Sequence, residues 1–356
     1  MSYFNIIAQT TENTVVTEYE PVKTRSGNYQ SEAALEKEFI RMLTEQGYEY
    51  LTIHKEDDLI NNLCSQLEKL NNYNFSETEW DRFFKECIAN QNEGIVEKTR
   101  KIQEDNIQVL KRDDGSTKNI TLIDKKNIHN NFLQVVNQVT AGEKNQNRYD
   151  VTILVNGLPL VHIELKKRGV NLHEAFNQIH RYSKESFNLD HSLYKFVQIF
   201  VISNGTYTRY FANTTARNKN NYEFTCEWAD AKNKVIRDLE DFTKTFFEKR
   251  VILEVLTKYC VFDASNTLLI MRPYQIAATE RLIWKIKSSY HAKRWLVQRL
   301  VATSGTQQVR GRHLPVSRLP SLQPKLISLI RCSLLLTVRT WIIRLCWSID
   351  ASPPTV

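Results

Sequence analysis

The stretch from Arg148 to Lys166, RYDVTILVNGLPLVHIELK, constrains the fold more than any other part of the chain. Tyr149 to Val155 is apolar except at Asp150 and Thr152, and Leu160 to Leu165 is apolar except at His162 and Glu164. Runs this short and this apolar predict strands buried on both faces. Asn156-Gly157 between them is a strong hairpin signal, and Pro159 predicts a loop slightly longer than two residues. Side chains alternate along a strand, so Glu164 and Lys166 share one face, and a hairpin lays Asp150 beside them.

Two carboxylates held together in an apolar setting repel each other, and burial adds to the cost, unless a divalent cation lies between them. Oxygen ligands of this kind suit Mg²⁺, which keeps several waters and takes further ligands from a phosphate. Lys166 would orient or deprotonate an attacking water and stabilise the charge that develops on the phosphate. The plainer alternative is a structural hairpin whose Glu164 and Lys166 pair at a sheet edge. For a bare Glu-x-Lys that alternative wins. An Asp, a hairpin and Glu-x-Lys on an apolar strand together favour phosphodiester hydrolysis.

The Asp150, Glu164-x-Lys166 constellation resembles the core of the PD-(D/E)XK nucleases. The wording of the hairpin is similar to the nuclease domain of the R subunit of type I restriction-modification enzymes. The likeness continues in NFLQVVNQVTAG, in AFNQIHRY and in YCVFDASNTLLIMRPYQIAATERLIW, and covers most of residues 1 to about 294. Tyr149 stands where the motif name has Pro, which supplies backbone shape rather than a ligand.

This resemblance implies an α/β fold, a mixed sheet flanked by helices, followed by the start of a RecA-like helicase domain. It implies an endonuclease domain over 1–258, then a linker and the start of a superfamily 2 helicase or translocase over 259–295, with Arg272, Tyr274 and Gln275 in the motor-entry motif. Asp150 and Glu164 become metal ligands, Lys166 a catalytic residue and Mg²⁺ the cofactor. Gln178 and Tyr182 match a QxxxY motif whose members contact DNA or the active-site Lys; four residues apart, they lie on one helical face. A helix merely packed on the sheet through Ala175, Phe176 and Ile179 is the other reading. Glu36, in SEAALEKEFIRML, resembles a first-helix Glu that adds an outer ligand, and Glu32 and Glu38 fit as well. The implied partners are double-stranded DNA and the modification and specificity subunits, with ATP bound by the intact protein. A stand-alone repair nuclease is an alternative that MRPYQIAATER argues against. An inactive domain that only binds DNA or a partner is another.

The remaining signals agree with an α/β pattern. Ser76 and Glu79 make a capping box, with Phe75 and Trp80 placed as a hydrophobic staple. The DDGS turn at 113–116 predicts a hairpin between Asn106 and Asp124. Tyr194 to Ile202 reads as a buried strand that turns at Ser203-Asn204-Gly205 into Thr206 to Ala212. Residues 214–223 read as an exposed loop. Leu239, Phe242, Phe246, Phe247 and Leu253 are spaced for helices between Val235 and Lys258. The six Cys, at 64, 87, 226, 260, 332 and 346, show no zinc spacing and predict reduced thiols in a cytoplasmic protein. His162 and His180 read as structural or phosphate-contacting, since carboxylates already supply hard ligands.

The net charge of +8 does not mark the hairpin region as DNA-binding. Residues 291–356 carry ten Lys or Arg and one acidic residue, which leaves 38 basic against 39 acidic residues in 1–290. A DNA-facing surface there must come from local clusters such as Lys166, Lys167, Arg168 and Arg181.

Family likeness places a phosphate-binding loop of the type GYIWHTTGSGKT after MRPYQIAATERLIWKI. Residues 302–312 instead read ATSGTQQVRGR, a string that codons for that loop permit one base out of register. Residues 336–345, LTVRTWIIRL, are in the same way an off-register reading of VDRKDLDYQT. These strings predict a frameshift near 295–301, a non-native tail over 296–356 and no ATP binding by this chain. A membrane segment is disfavoured, because Arg interrupts every apolar run before the roughly 18 residues that a span requires.

Overall fold

The computed structural model describes residues 4–9, 14–19, 31–53, 55–141, 147–185, 192–214, 221–230, 232–262 and 265–291. The expected non-native tail lies outside the described residues, as do Cys332 and Cys346. Two units divide the chain, Met1–Arg272 and Pro273–Val356.

In the first unit the hairpin β1 (Phe4–Gln9) and β2 (Thr14–Tyr19) precedes helix α1 (Glu32–Glu45) and the short strand β3 (Glu49–Tyr50). Helices α2 (Glu56–Asn71), α3 (Glu77–Phe83) and α4 (Ile95–Gln103) lead to a second hairpin, β4 (Ile107–Lys111) with β5 (Thr117–Thr121). Strands β6 (Leu133–Ala141), β7 (Asn147–Val155) and β8 (Leu158–Leu165) follow, then helix α5 (Leu172–Glu185), β9 (Ile199–Ser203) and β10 (Thr208–Ala212). A short pair, β11 (Trp228–Ala229) with β12 (Val235–Ile236), comes before α6 (Leu239–Phe246) and α7 (Lys249–Glu254). The hairpin β13 (Cys260–Phe262) with β14 (Leu268–Ile270) follows, and this unit runs to Arg272. In the second unit the described element is α8 (Pro273–His291), which begins just after Arg272 and holds Tyr274 and Gln275 in its first turn.

Six strands form one mixed sheet in the order β10-β9-β8-β7-β6-β3. Strands β3 and β6 are parallel, β6 to β8 are antiparallel neighbours, β8 and β9 are parallel, and β9 and β10 are antiparallel. Because β7 and β8 hold the middle and helices flank the sheet, every residue of β8 is buried. That is the physical reason for their unbroken apolar wording. Helix α1 packs against β7 and β8, and α5 against β8 and β9. Phe176 of α5 meets Phe211, Phe211 meets Phe200, and Phe200 meets His162, with ring centroids 5.1, 5.3 and 6.2 Å apart. Ala175, Phe176 and Ile179 therefore form the apolar face of α5, as their spacing predicts.

Local signals act as read. Ser76 and Glu79 close their capping box, and Phe75 and Trp80 meet at 5.4 Å. The DDGS turn joins β4 to β5, with Gly115 at φ 80°. The strand expected from Tyr194 begins instead at Ile199. Ser192 accepts the Tyr194 N–H and starts a 3-10 turn over Leu193–Phe196, whose Leu193, Tyr194 and Phe196 are buried. A continuous apolar run marks burial and does not by itself distinguish a tight turn from a strand. Cys64, Cys87, Cys226 and Cys260 are thiols, and no described helix is long and apolar enough to cross a membrane.

Candidate functional site

The hairpin turn is tighter than expected. Strands β7 and β8 are joined by Asn156 and Gly157 alone, at φ 53° and 83°, the two left-handed residues of the minimal hairpin. Pro159 is accommodated within the strand rather than in the loop. The register runs Val155↔Leu158 and Leu154↔Pro159, then shifts, so that Ile153↔Val161, Thr152↔His162 and Val151↔Ile163. Leu160 is thus an extra residue, a β-bulge beside a proline that cannot donate to the ladder.

This bulge decides where the carboxylates point. In the unshifted register Asp150 would face Ile163, and Glu164 would project from the opposite face of the sheet. With the shift, the register continued by one residue sets Asp150 against Glu164 on one face. The described ladder stops at Val151↔Ile163, so the pair stands where the two strands cease to bond. Lys166 N–H donates to Ser203 O on β9, at 2.8 Å, so the preceding N–H of Leu165 is turned toward β7. It donates to Asp150 Oδ2 at 2.9 Å, which fixes the Asp150 side chain at the strand end.

Glu164 is completely buried. Lys166 Nζ donates to its Oε1 at 3.0 Å, whereas Oε2 is buried without a hydrogen bond among the described residues. Burial, then the nearby Glu164 charge, push the Asp150 carboxyl up to about 7. Burial likewise raises Glu164 to about 7, against the opposing pull of Lys166. Burial would lower the Lys166 ammonium, but Glu164, Asp150 and Glu32 outweigh it and leave the group above its usual pKa. Lys166 is therefore a cation in this arrangement.

The three first-helix glutamates separate clearly. Glu36 is buried and accepts from the side chains of Asn137 and Gln138 on β6. Glu38 is paired with Arg41, one turn further along α1. Glu32 accepts the Lys167 N–H at 3.3 Å, and its charge acts on both Glu164 and Lys166. Among the described residues, no group of three or more His, Cys, Asp and Glu side chains stands together as a metal cluster.

Helix α5 brings its pair to the same place. Gln178 Nε2 donates to the Tyr182 hydroxyl. Tyr182 is buried, edge-on to Tyr149 at 5.1 Å and to His162 at 6.3 Å. Burial and the Glu164 charge raise its phenol to about 12, so the hydroxyl keeps its proton near neutral pH. Tyr182 thus packs in the core and also feels the carboxylates. His162 is fully buried, which removes it from direct phosphate contact; burial lowers its pKa to about 4 and keeps the ring neutral. Its Nε2 stands 3.6 Å from Glu164 Oε2, a proximity that sequence reasoning missed although the i,i+2 spacing along one strand face was a signal for it. His180, also singled out, packs edge-on to Phe176 at 4.7 Å.

The donor set fits a hard divalent cation. Two buried carboxyls facing each other, raised by burial and, at Asp150, by the other's charge, a cost that a cation would relieve, match a Mg²⁺ site of one or two carboxylates. No group of three or more His, Cys, Asp and Glu that could hold a metal ion stands together among the described residues, so the pair does not make a closed four-ligand zinc site.

The family model for the type I restriction enzyme R protein N terminus matches residues 29–219. The EcoprrI type I restriction enzyme endonuclease subunit of Escherichia coli is 54% identical over 298 residues, covering 82% of this chain and 95% of that protein. A type I restriction enzyme endonuclease subunit of Staphylococcus saprophyticus is 39% identical over 261 residues, 72% of this chain and 27% of that one. One from Staphylococcus aureus is 37% identical over the same length and shares. The chain thus spans about a quarter of the staphylococcal proteins.

Proposed function

This chain belongs to the type I restriction enzyme R protein family, and on that premise we propose that its first unit hydrolyses phosphodiester bonds of double-stranded DNA with the help of Mg²⁺. The observation that carries the reading is the converging, protonation-prone pair Asp150 and Glu164 with the Lys166 cation on one of its oxygens. Asp150 and Glu164 would hold the ion, and Glu32, exposed at the start of α1 and electrostatically linked to Glu164 and Lys166, is the better first-helix candidate than Glu36. An Mg²⁺ ion held by this pair would supply the positive charge that offsets the two carboxylates and the Lewis acidity that phosphodiester hydrolysis needs.

Lys166, as an ammonium, orients the incoming water through its remaining N–H donors and stabilises the charge that builds on the phosphate. Its charged state argues against the alternative role of removing the proton from that water. Tyr182, protonated and held by Gln178, offers a neutral hydroxyl to Lys166 or to the DNA backbone. In the intact R subunit this cleavage is coupled to ATP-driven movement along DNA, within a complex that includes modification and specificity subunits. The similarity of MRPYQIAATER to the motor entry supports that coupling.

The test uses an R subunit carrying this domain, assembled with its modification and specificity subunits. Asp150→Ala or Glu164→Ala should lower DNA cleavage by at least about 10³-fold and leave ATP hydrolysis unchanged, since each removes a ligand and neither touches the motor. Full cleavage by either variant would leave a domain that only binds DNA or a partner.

A further inference from the structure

Three buried polar groups beside the site play no part in the chemistry above. His162, Thr152 and Tyr194 are each at most 1% exposed, in strands and a turn otherwise filled by apolar side chains. They form a chain. Tyr194 Oη lies 3.4 Å from Thr152 Oγ1, Thr152 Oγ1 lies 3.2 Å from His162 Nδ1, and His162 Nε2 lies 3.6 Å from Glu164 Oε2. The same register shift at Leu160 that sets Asp150 against Glu164 also sets Thr152 against His162, so the chain and the carboxylate pair arise from one feature of the backbone.

Burying hydroxyls and an imidazole in a sheet is costly unless their bonds are made, and packing alone would be served by Val and Leu. One proton arrangement serves the buried acceptor Glu164 Oε2: the Tyr194 hydroxyl donates to Thr152, the Thr152 hydroxyl donates to Nδ1, and Nε2–H is left aimed at Oε2. The other neutral tautomer donates from the ring to the Val151 carbonyl, which also approaches it, and leaves a nitrogen lone pair facing the carboxylate.

We infer that His162 is a positioning residue for Glu164, braced by Thr152 and Tyr194 so that Nε2–H holds Oε2 while Lys166 holds Oε1. A donor on each oxygen fixes the plane of the carboxylate. It leaves one lone pair on each oxygen for the cation. Outer partners of this kind set the orientation of a ligand and act through it on metal affinity, typically by 10- to 100-fold. His162 itself touches neither cation nor DNA. This assignment rests on the reading of Asp150 and Glu164 as cation ligands.

The experiment is calorimetric titration of the full chain with Mn²⁺, a Mg²⁺ substitute, on the wild type, Asp150→Asn, His162→Leu, His162→Gln and Thr152→Val. His162→Leu should weaken Mn²⁺ binding by about 10-fold or more, and His162→Gln, whose amide N–H can reach the same oxygen, should restore it to within about 3-fold. Thr152→Val should weaken it by a smaller factor at unchanged thermal stability. Imidazole ¹⁵N chemical shifts of the wild type need no variant and should show the Nε2–H tautomer for His162. A ring protonated at Nδ1, or His162→Leu binding Mn²⁺ as tightly as the wild type, would overturn the role of His162 while leaving the site intact. No Mn²⁺ binding by the wild type, or equal binding by Asp150→Asn, would overturn the cation site itself.

Discussion

At its turn the β7–β8 hairpin buries Asn156 completely, and at its open end it buries Glu164 just as completely. Every side-chain polar atom of Asn156 is served, and so is its N–H. Its Nδ2 donates to Leu122 O at 3.0 Å and to Asn131 Oδ1 at 2.8 Å, its Oδ1 accepts the Phe132 N–H at 2.8 Å, and its own N–H reaches Phe132 O at 2.9 Å. Gly157 beside it lies so close to α2 that a Cβ there would stand 2.6 Å from Leu63 Cα. Glu164 sits at the opposite extreme, with one oxygen that has no hydrogen bond shorter than the 3.6 Å to His162 Nε2 among the described residues, and a second carboxyl opposite it. Equal burial therefore carries two meanings. A buried polar group whose bonds are complete and which faces no like charge holds a fold together, and one set beside a second carboxyl is kept for something that binds.

Removing the polar group should consequently have opposite effects at the two ends. Asn156→Ala strands the buried Leu122 carbonyl, takes the acceptor from the Phe132 N–H and places Ala at a positive φ. We expect a loss of about 3 kcal/mol in denaturant unfolding. Gly157→Ala, with its clash against Leu63, should lose a similar amount. A variant as stable as the wild type would mean that the turn is not the structural end.

At the open end, Asp150→Asn keeps an acceptor for Leu165 N–H and removes one of two repelling charges. Both carboxyls titrate near 7 in the folded chain, above the ordinary carboxylate range, so the fold retains protons that the unfolded chain releases. In the absence of divalent cations, wild-type stability then falls as pH rises from about 4 to about 7, and Asp150→Asn escapes part of that loss. The variant should be more stable than the wild type by on the order of 1 kcal/mol at pH 8, with the gap closing toward pH 4. A gap that widens on acidification would reverse the assignment.

The smallest effect on stability is expected at Tyr182. Tyr182→Phe keeps the ring against Tyr149 and His162 and deletes only the hydroxyl that Gln178 donates to. Cleavage by the assembled complex should drop about tenfold while unfolding shifts by less than about 1 kcal/mol. Unchanged cleavage would place Tyr182 with Asn156, among the purely structural groups.

Much of the open end was legible in the wording of the chain. Apolar strands, an Asn-Gly turn and strand alternation suffice to mark Asp150, Glu164 and Lys166 as candidates. The actual mechanism of their convergence was not legible, because a two-residue turn alone would have put the carboxylates on opposite faces; Pro159 signals a longer loop, whereas the structure keeps the two-residue turn and places the extra residue at Leu160 as a bulge. Nor could Glu32, Glu36 and Glu38 be told apart, since Asn137 and Gln138 reach Glu36 across about a hundred residues of sequence. Only the Glu38 to Arg41 pairing is local enough to read from spacing. Residues 193–196 show the same limit: burial was plain, but the Ser192 cap that bends them into a turn competes with a strand and wins.

The most direct test of the contrast between the two ends is the melting temperature of the chain at pH 8 as Mg²⁺ or Mn²⁺ is added, for the wild type, Asn156→Ala and Asp150→Asn. A cation that completes the open end binds the folded state alone, so it should raise the melting temperature of the wild type and of the weakened Asn156→Ala by a few degrees at saturating concentration, and that of Asp150→Asn little or not at all. No shift in the wild type, or the same shift in Asp150→Asn, would contradict the account.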